Sequence, residues 1–225
     1  MSSKKDRKKL YKLIDHKATK VAFNRLAANL KFYCLNKNVK TISITSSIKD
    51  EGKTTVAASL ATCLTENNSK VLLVDTDIHH KSLTSIFKSA STQNVQAVLA
   101  GACPLEKAID ATEIKNLYFF DCASGVASLP EVISSKEFNG IWEAVCNAFD
   151  FIVVDTAPIL PCTEASLVCK LTDACVQVVK QGVSKKEDVL SAFEQLKSFD
   201  VNVIGTVLNF SKGKEYKYYS SYKYN

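Results

Sequence analysis

At 225 residues and 46% hydrophobic content, the chain is long enough for one well-cored domain, and no apolar stretch approaches the ~20 residues of a membrane-spanning helix. Its eight cysteines include no C-x-x-C pair, which argues against a zinc site or a disulfide frame and for reduced, buried thiols. The net charge of +6 is concentrated at the start, where Lys4, Lys5, Arg7, Lys8, Lys9 and Lys12 face only Asp6.

Taken in chain order, residues 1–17 read as a basic flexible arm, either solvated or in contact with anionic lipid or an acidic partner. With no signal-like start and no lipidation motif, a cytoplasmic location is expected, any membrane attachment being supplied by a partner. Residues 18–35 follow as an amphipathic helix, with Val21, Phe23, Leu26, Leu30 and Tyr33 at roughly helical spacing. TISITSS (41–47) alternates as a strand, and residues 53–67 are rich in helix formers up to Asn67 and Asn68. VLLVD (71–75), FIVVD (151–155), CVQVV (175–179) and VIGTVLN (203–209) are short, nearly continuous apolar runs that suit strands buried on both faces of a parallel sheet. Helical segments at 131–148, 163–171 and 184–198 fall between them, so an α/β sandwich is expected over 18–210. Residues 211–225 lie outside this alternation and form a flexible tail crowded with Tyr216, Tyr218, Tyr219, Tyr222 and Tyr224.

Chemistry concentrates at ISITSSIKDEGKTT, where Gly52, Lys53, Thr54 and Thr55 join a strand to a helix start. Backbone N–H groups at such a junction can cradle phosphates, Lys53 can reach their oxygens, and the Thr54 hydroxyl can ligate Mg²⁺. Ser47 occupies the first glycine position of the G-x-x-x-x-G-K-[ST] pattern. Asp50 and Glu51 bring carboxylates toward the phosphates, which predicts weakened nucleotide affinity. Asp75, Asp77 and Asp155 follow apolar runs, and the ends of parallel strands gather at one sheet edge, so all three are expected beside the loop. That set supplies what phosphoryl transfer requires: a cation on the phosphates, metal-bound oxygens and a proton acceptor. His79 and His80 are adjacent, but as a pair without further ligands they do not make a metal site.

GKTT, followed by VLLVDTDI and FIVVDTAPI, resembles the Walker A, A′ and B motifs of bacterial tyrosine kinases, in particular the cytoplasmic kinase subunits of capsular and exopolysaccharide synthesis. The resemblance covers about residues 18–225. It implies a P-loop NTPase-like three-layer sandwich with a mostly parallel sheet, and an ATP- and Mg²⁺-dependent autokinase whose tail tyrosines are the phosphoacceptors. It assigns Lys53 and the backbone around Gly52 to ATP phosphates, Thr54, Asp77 and Asp155 to the metal, Asp75 to the proton of the tyrosine hydroxyl, and Asn209 to adenine. It also implies a membrane-embedded adaptor of the polysaccharide co-polymerase type at the inner face of the membrane, a cognate tyrosine phosphatase, homo-oligomers, and no nucleic-acid partner. Three departures are visible. His79 replaces the arginine of D-x-D-x-R, Ala157 replaces a proline of the B motif, and Val21, Asn24 and Ala27 replace the charges of the oligomerisation motif E-x-x-R-x-x-R, which argues against the family's ring. A tyrosine-rich tail favours the kinase over the alternatives that share these motifs, a ParA/MinD-like ATPase acting as a dimerisation or positioning switch, and an assembly protein of the same fold with impaired catalysis.

Overall fold

The computed structural model describes residues 16–80, 82–87 and 93–211; residues 1–15 of the basic arm and residues 212–225, with all five tail tyrosines, lie outside the described residues.

Helix α1 spans Lys17–Lys37 and ends at Asn38, which adopts a left-handed conformation (φ 55°). There the chain reverses, and the Val39 N–H donates to the Cys34 carbonyl at 3.0 Å. Ala27, Leu30 and Cys34 are buried, with Phe23, Leu26 and Tyr33 packed beside them. Val21 was expected on this stripe but is 55% exposed. At about 100° per residue, it projects from the side opposite Phe23, Leu30 and Cys34, together with the exposed Phe32 and Leu35.

Strand β1 (Thr41–Ser46) leads into α2 (Lys53–Leu64), a single 3₁₀ turn (Glu66–Asn68) and β2 (Val71–Asp75). Short helices α3 (Ser82–Phe87), α4 (Val95–Leu99) and α5 (Leu105–Ala108) precede β3 (Ile109–Ala111) and β4 (Leu117–Asp121). Then come α6 (Leu129–Ile133), α7 (Lys136–Ala148), β5 (Phe151–Asp155), α8 (Glu164–Leu171), β6 (Ala174–Lys180), α9 (Lys186–Ser198) and β7 (Val203–Asn209). The sheet order is β3-β4-β2-β5-β1-β6-β7, parallel throughout except for β3 against β4.

The central strands are apolar on both faces because both are covered. Val71, Leu73 and Val153 pack toward α1 and α2, whereas Leu72, Val74, Ile152 and Val154 pack toward Phe138, Val145 and Phe149 of the opposite layer. Each fully buried side chain of this size contributes about 1.5–3 kcal/mol, and α2 alone places Val56, Leu60 and Leu64 there.

Three expectations about elements are corrected. VIGTVLN is an edge strand rather than a doubly buried one, and Gly205, Thr206 and Leu208 are exposed because nothing among the described residues pairs beyond it. The helix expected over 131–148 is two helices, broken at Ser134 and restarted at Ser135, whose hydroxyl accepts from the Phe138 N–H at 3.1 Å. Strands β3 and β4 were not anticipated. LYFFD of β4 is a short apolar run like the others, but its place beside β2 is set by pairing with residues 46 positions earlier in the chain, Val71 with Leu117 and Asp75 with Asp121. Among the described residues, no helix is long and apolar enough to cross a membrane.

Candidate active site

The parallel register places the strand-end carboxylates side by side: Asp75 pairs with Asp155 on one flank and with Asp121 on the other. All three are buried, as is Asp77 two residues beyond β2. The loop between β1 and α2 closes over the same edge. Its Gly52 is the N-cap of α2 in a left-handed conformation (φ 88°), and a Cβ added there would lie 2.2 Å from Asn209 Nδ2. Only glycine fits this turn, for both conformational and steric reasons. Asp50 is also left-handed (φ 64°).

The Lys53 ammonium donates to Asp77 Oδ2 at 2.8 Å and lies 3.5 Å from the Thr54 hydroxyl. Burial alone would depress its pKa, but Asp155, Asp77 and Asp75 outweigh burial and hold it above the ordinary lysine value. The other oxygen of Asp77 accepts the N–H groups of His79 (3.1 Å) and His80 (2.9 Å), which fixes the turn after β2. Asp155 is different. Burial pushes its pKa up to about 6, with Lys53 and the Thr54 hydroxyl opposing the rise and Asp77 adding to it. Its Oδ1 is buried without a hydrogen-bond partner among the described residues.

Asp75 is fully committed. Oδ1 accepts the Asp77 N–H at 3.2 Å, and Oδ2 accepts both the N–H and the hydroxyl of Thr84, at 3.2 and 3.3 Å. Burial and the neighbouring Asp155 raise its pKa well above the usual carboxylate range. Glu51, expected near the phosphates, is instead buried, accepting the Ile48 N–H at 2.9 Å and the Ser184 hydroxyl. Its carboxylate braces the loop from behind. Asn209 likewise donates to the Glu51 carbonyl at 3.0 Å and accepts the Phe210 N–H at 2.9 Å. Ser47 is buried, its hydroxyl accepting from Gln177 at 3.0 Å, so the side chain absent from the glycine pattern is accommodated inward. Ala157 is also buried, and the turn it occupies is held by the Ile159 N–H to the Ser46 carbonyl at 2.8 Å.

What remains open is a cavity of about 200 Å³ lined by Lys49, Asp50, Gly52, Lys53, Thr54, His80, Ser82 and Pro158. It is below the 300–1,000 Å³ typical of whole-ligand pockets. Of the carboxylates expected near it, only Asp50 lines it directly; Thr55 is half-buried on α2. Sequence reasoning did not find Thr84, Ser184 or Lys180, whose ammonium donates to the Asp50 carbonyl at 3.1 Å and stacks 4.7 Å from the Phe210 ring centroid. Ser184 and Lys180 act across more than a hundred residues and Thr84 across nine, and no local pattern marks them. Asp121 could have been found, since LYFFD ends in aspartate as VLLVD and FIVVD do. Its Oδ1 accepts the N–H groups of Ala123 and Ser124, at 3.1 and 2.8 Å, as a turn former.

Residues 39–202 match the family model described as an AAA domain. Tyrosine-protein kinase YwqD of Bacillus subtilis is 29% identical over 202 residues, covering 88% of this chain and 85% of that protein. Tyrosine-protein kinase CpsD of Streptococcus pneumoniae serotype 4 is 30% identical over 188 residues, covering 83% and 82%. Among solved structures, the chimerical protein CapA2B2 superposes with a TM-score of 0.78 at 27% identity, covering 87% of this chain and 88% of that one.

Proposed function

This chain belongs to the bacterial tyrosine-protein kinase family, and we propose that it transfers the γ-phosphoryl group of ATP to tyrosines of its own C-terminal tail, in control of capsular or exopolysaccharide synthesis. The observation that carries the reading is the cation and carboxylate set at the phosphate loop, Lys53 on Asp77 with Asp155 acting on both, together with the closely spaced Tyr216, Tyr218, Tyr219, Tyr222 and Tyr224.

The donor set suits a hard cation. The unpartnered Asp155 oxygen and the Thr54 hydroxyl beside it would hold Mg²⁺, with Asp77 supporting its waters. When bound, the ion neutralises charge on the transferring phosphate. Lys53 exchanges Asp77 for a phosphate oxygen, and the backbone around Gly52 donates to the others. Asp77, freed at Oδ2, keeps its hold on the amides of His79 and His80. Asp75 accepts the tyrosine proton after giving up the Thr84 donors that now occupy Oδ2; its raised pKa makes it the stronger proton acceptor for a hydroxyl with an ordinary pKa of about 10. Asn209 and Glu51 brace the loop from behind.

The described chain leaves β7 through Asn209 and Phe210, beside Gly52, so the tail departs next to the phosphate loop. Delivery to the same or a neighbouring copy's site is favoured by the millimolar effective concentration of a tethered segment. A membrane-embedded adaptor, a tyrosine phosphatase and self-association complete the proposal, with the protein held at the inner face of the membrane by its partner. The test is incubation of the full chain with ATP and Mg²⁺, with and without the adaptor's cytoplasmic segment, and mapping of phosphotyrosine. Lys53-dependent modification of Tyr216–Tyr224 is expected. Lys53-dependent hydrolysis without phosphotyrosine would favour the positioning ATPase, and no thermal shift at millimolar ATP would favour an assembly protein.

A further inference from the structure

The turn after β2 and the start of α8 meet beside the phosphate cavity, and there the sequence's argument against a metal site fails. His79 Nε2 lies 2.8 Å from Glu164 Oε1. A ring nitrogen of His79, the Cys162 sulfur and a Glu164 carboxylate oxygen all lie within 4.8 Å of one another. Two of these residues are separated by one position at the helix start, and the third comes from a segment more than eighty residues earlier (162 − 79 = 83), so no spacing motif announces the set. We propose that His79, Cys162 and Glu164 form a binding site for a divalent transition-metal ion of the zinc type.

The chemistry of the donors selects the metal. One thiolate, one imidazole and one carboxylate suit Zn²⁺ and disfavour Mg²⁺ or Ca²⁺, which take oxygen ligands. Metal–ligand distances of about 2.0–2.3 Å put tetrahedral ligand atoms roughly 3.3–3.8 Å apart, so the cluster needs only rotamer adjustments. Cys162 is nearly buried, whereas the His79 side chain is 47% exposed; three protein ligands with one solvent-facing side leave a fourth position for water. Burial first, then the field of Glu164 and Asp77, with Lys53 partly opposing, push the Cys162 thiol up. That field opposes a bare thiolate and favours a divalent cation, which displaces the thiol proton on binding. The site is distinct from the donors of Thr54 and Asp155, yet it shares a turn with Asp77, whose Oδ1 holds the amides of His79 and His80. Occupancy would therefore pin the turn that positions the partner of Lys53.

The test uses the full chain, stripped with chelator and kept reduced, in excess Mg²⁺ so that oxygen-only sites are filled. Titration with Co²⁺ reports sulfur ligation directly through thiolate-to-cobalt charge-transfer absorption, and Zn²⁺ should displace it. One equivalent with that band is expected. Cys162→Ser should abolish the band, and Cys103→Ser, at a half-buried thiol elsewhere, should keep it. Glu164→Gln and His79→Asn should each weaken Zn²⁺ binding by more than about tenfold, the scale on which even supporting groups of a metal site act. These two leave the thiol in place, so the result stands even if Cys162→Ser fails to fold. No band in the native chain, a band that survives in folded Cys162→Ser, or unchanged Zn²⁺ affinity in both other variants would overturn the proposal.

Discussion

The two ends of the sheet use aspartate in opposite ways. At the N-terminal edge, Asp173 accepts the N–H groups of Lys40 and Thr41 and the Thr41 hydroxyl, at 2.9, 2.8 and 2.8 Å, while Asp150 accepts the Lys70 N–H at 2.7 Å. Both are exposed, and both spend their charge on backbone donors that would otherwise lack partners. At the C-terminal edge, Asp75, Asp77 and Asp155 are buried in mutual repulsion, and Asp155 keeps an oxygen without a partner among the described residues. The first arrangement stabilises the fold. The second costs stability and makes sense only if a cation and a phosphate complete it.

Substitutions can break this contrast, and the largest effect is expected at Lys53. Lys53→Met should lower tail phosphorylation by about 10²–10³-fold, the scale of losing one preorganised charge from a reacting centre, measured as phosphotyrosine by mass spectrometry. Asp155→Asn should remove most of the thermal shift produced by Mg²⁺ and ATP, yet stabilise the nucleotide-free protein near neutral pH.

The sign of that second effect follows from the pKa. Asp155 sits at about 6, above its ordinary 3.8, so ionisation costs the folded state free energy at neutral pH, and the cost is relieved as pH falls through about 6 toward 4. With a shift of about two units, in which the opposing pull of Lys53 is already included, the cost is at most about 3 kcal/mol. Denaturant unfolding of native and Asp155→Asn protein across that pH range should show the difference shrinking with acid; a variant less stable than native at neutral pH would contradict the reading. Asp173→Asn should do the reverse, losing about 1–2 kcal/mol of stability through weakened backbone contacts while phosphorylation by the folded fraction is retained. Gly52→Ala, which forces a side chain into a left-handed turn against Asn209, should cost about 1–3 kcal/mol and weaken ATP binding, read as a smaller ligand-induced thermal shift. The smallest effect is expected on the exposed side of α1: Leu35→Ser should change stability by no more than about 0.5 kcal/mol, as thermal unfolding would report.

Much of this was legible in the sequence because it is local. Continuous apolar runs marked β2, β5 and β6 nearly residue by residue, the alternating TISITSS marked β1, and a glycine before lysine at a strand-to-helix junction located the phosphate loop. The tyrosine cluster needed no fold at all to be noticed. What the sequence could not reveal depends on pairing between distant segments. Parallel register alone sets Asp75 between Asp121 and Asp155, the turn between β6 and α9 brings the Ser184 hydroxyl onto Glu51, and the fold carries His79 to Cys162 and Glu164. Local preferences act over a turn of helix or a pair of strand residues, whereas burial, field and ligand geometry are set by whichever elements the sheet order makes neighbours; the first determined that this chain handles phosphate, and the second decided which of its carboxylates are free to do so.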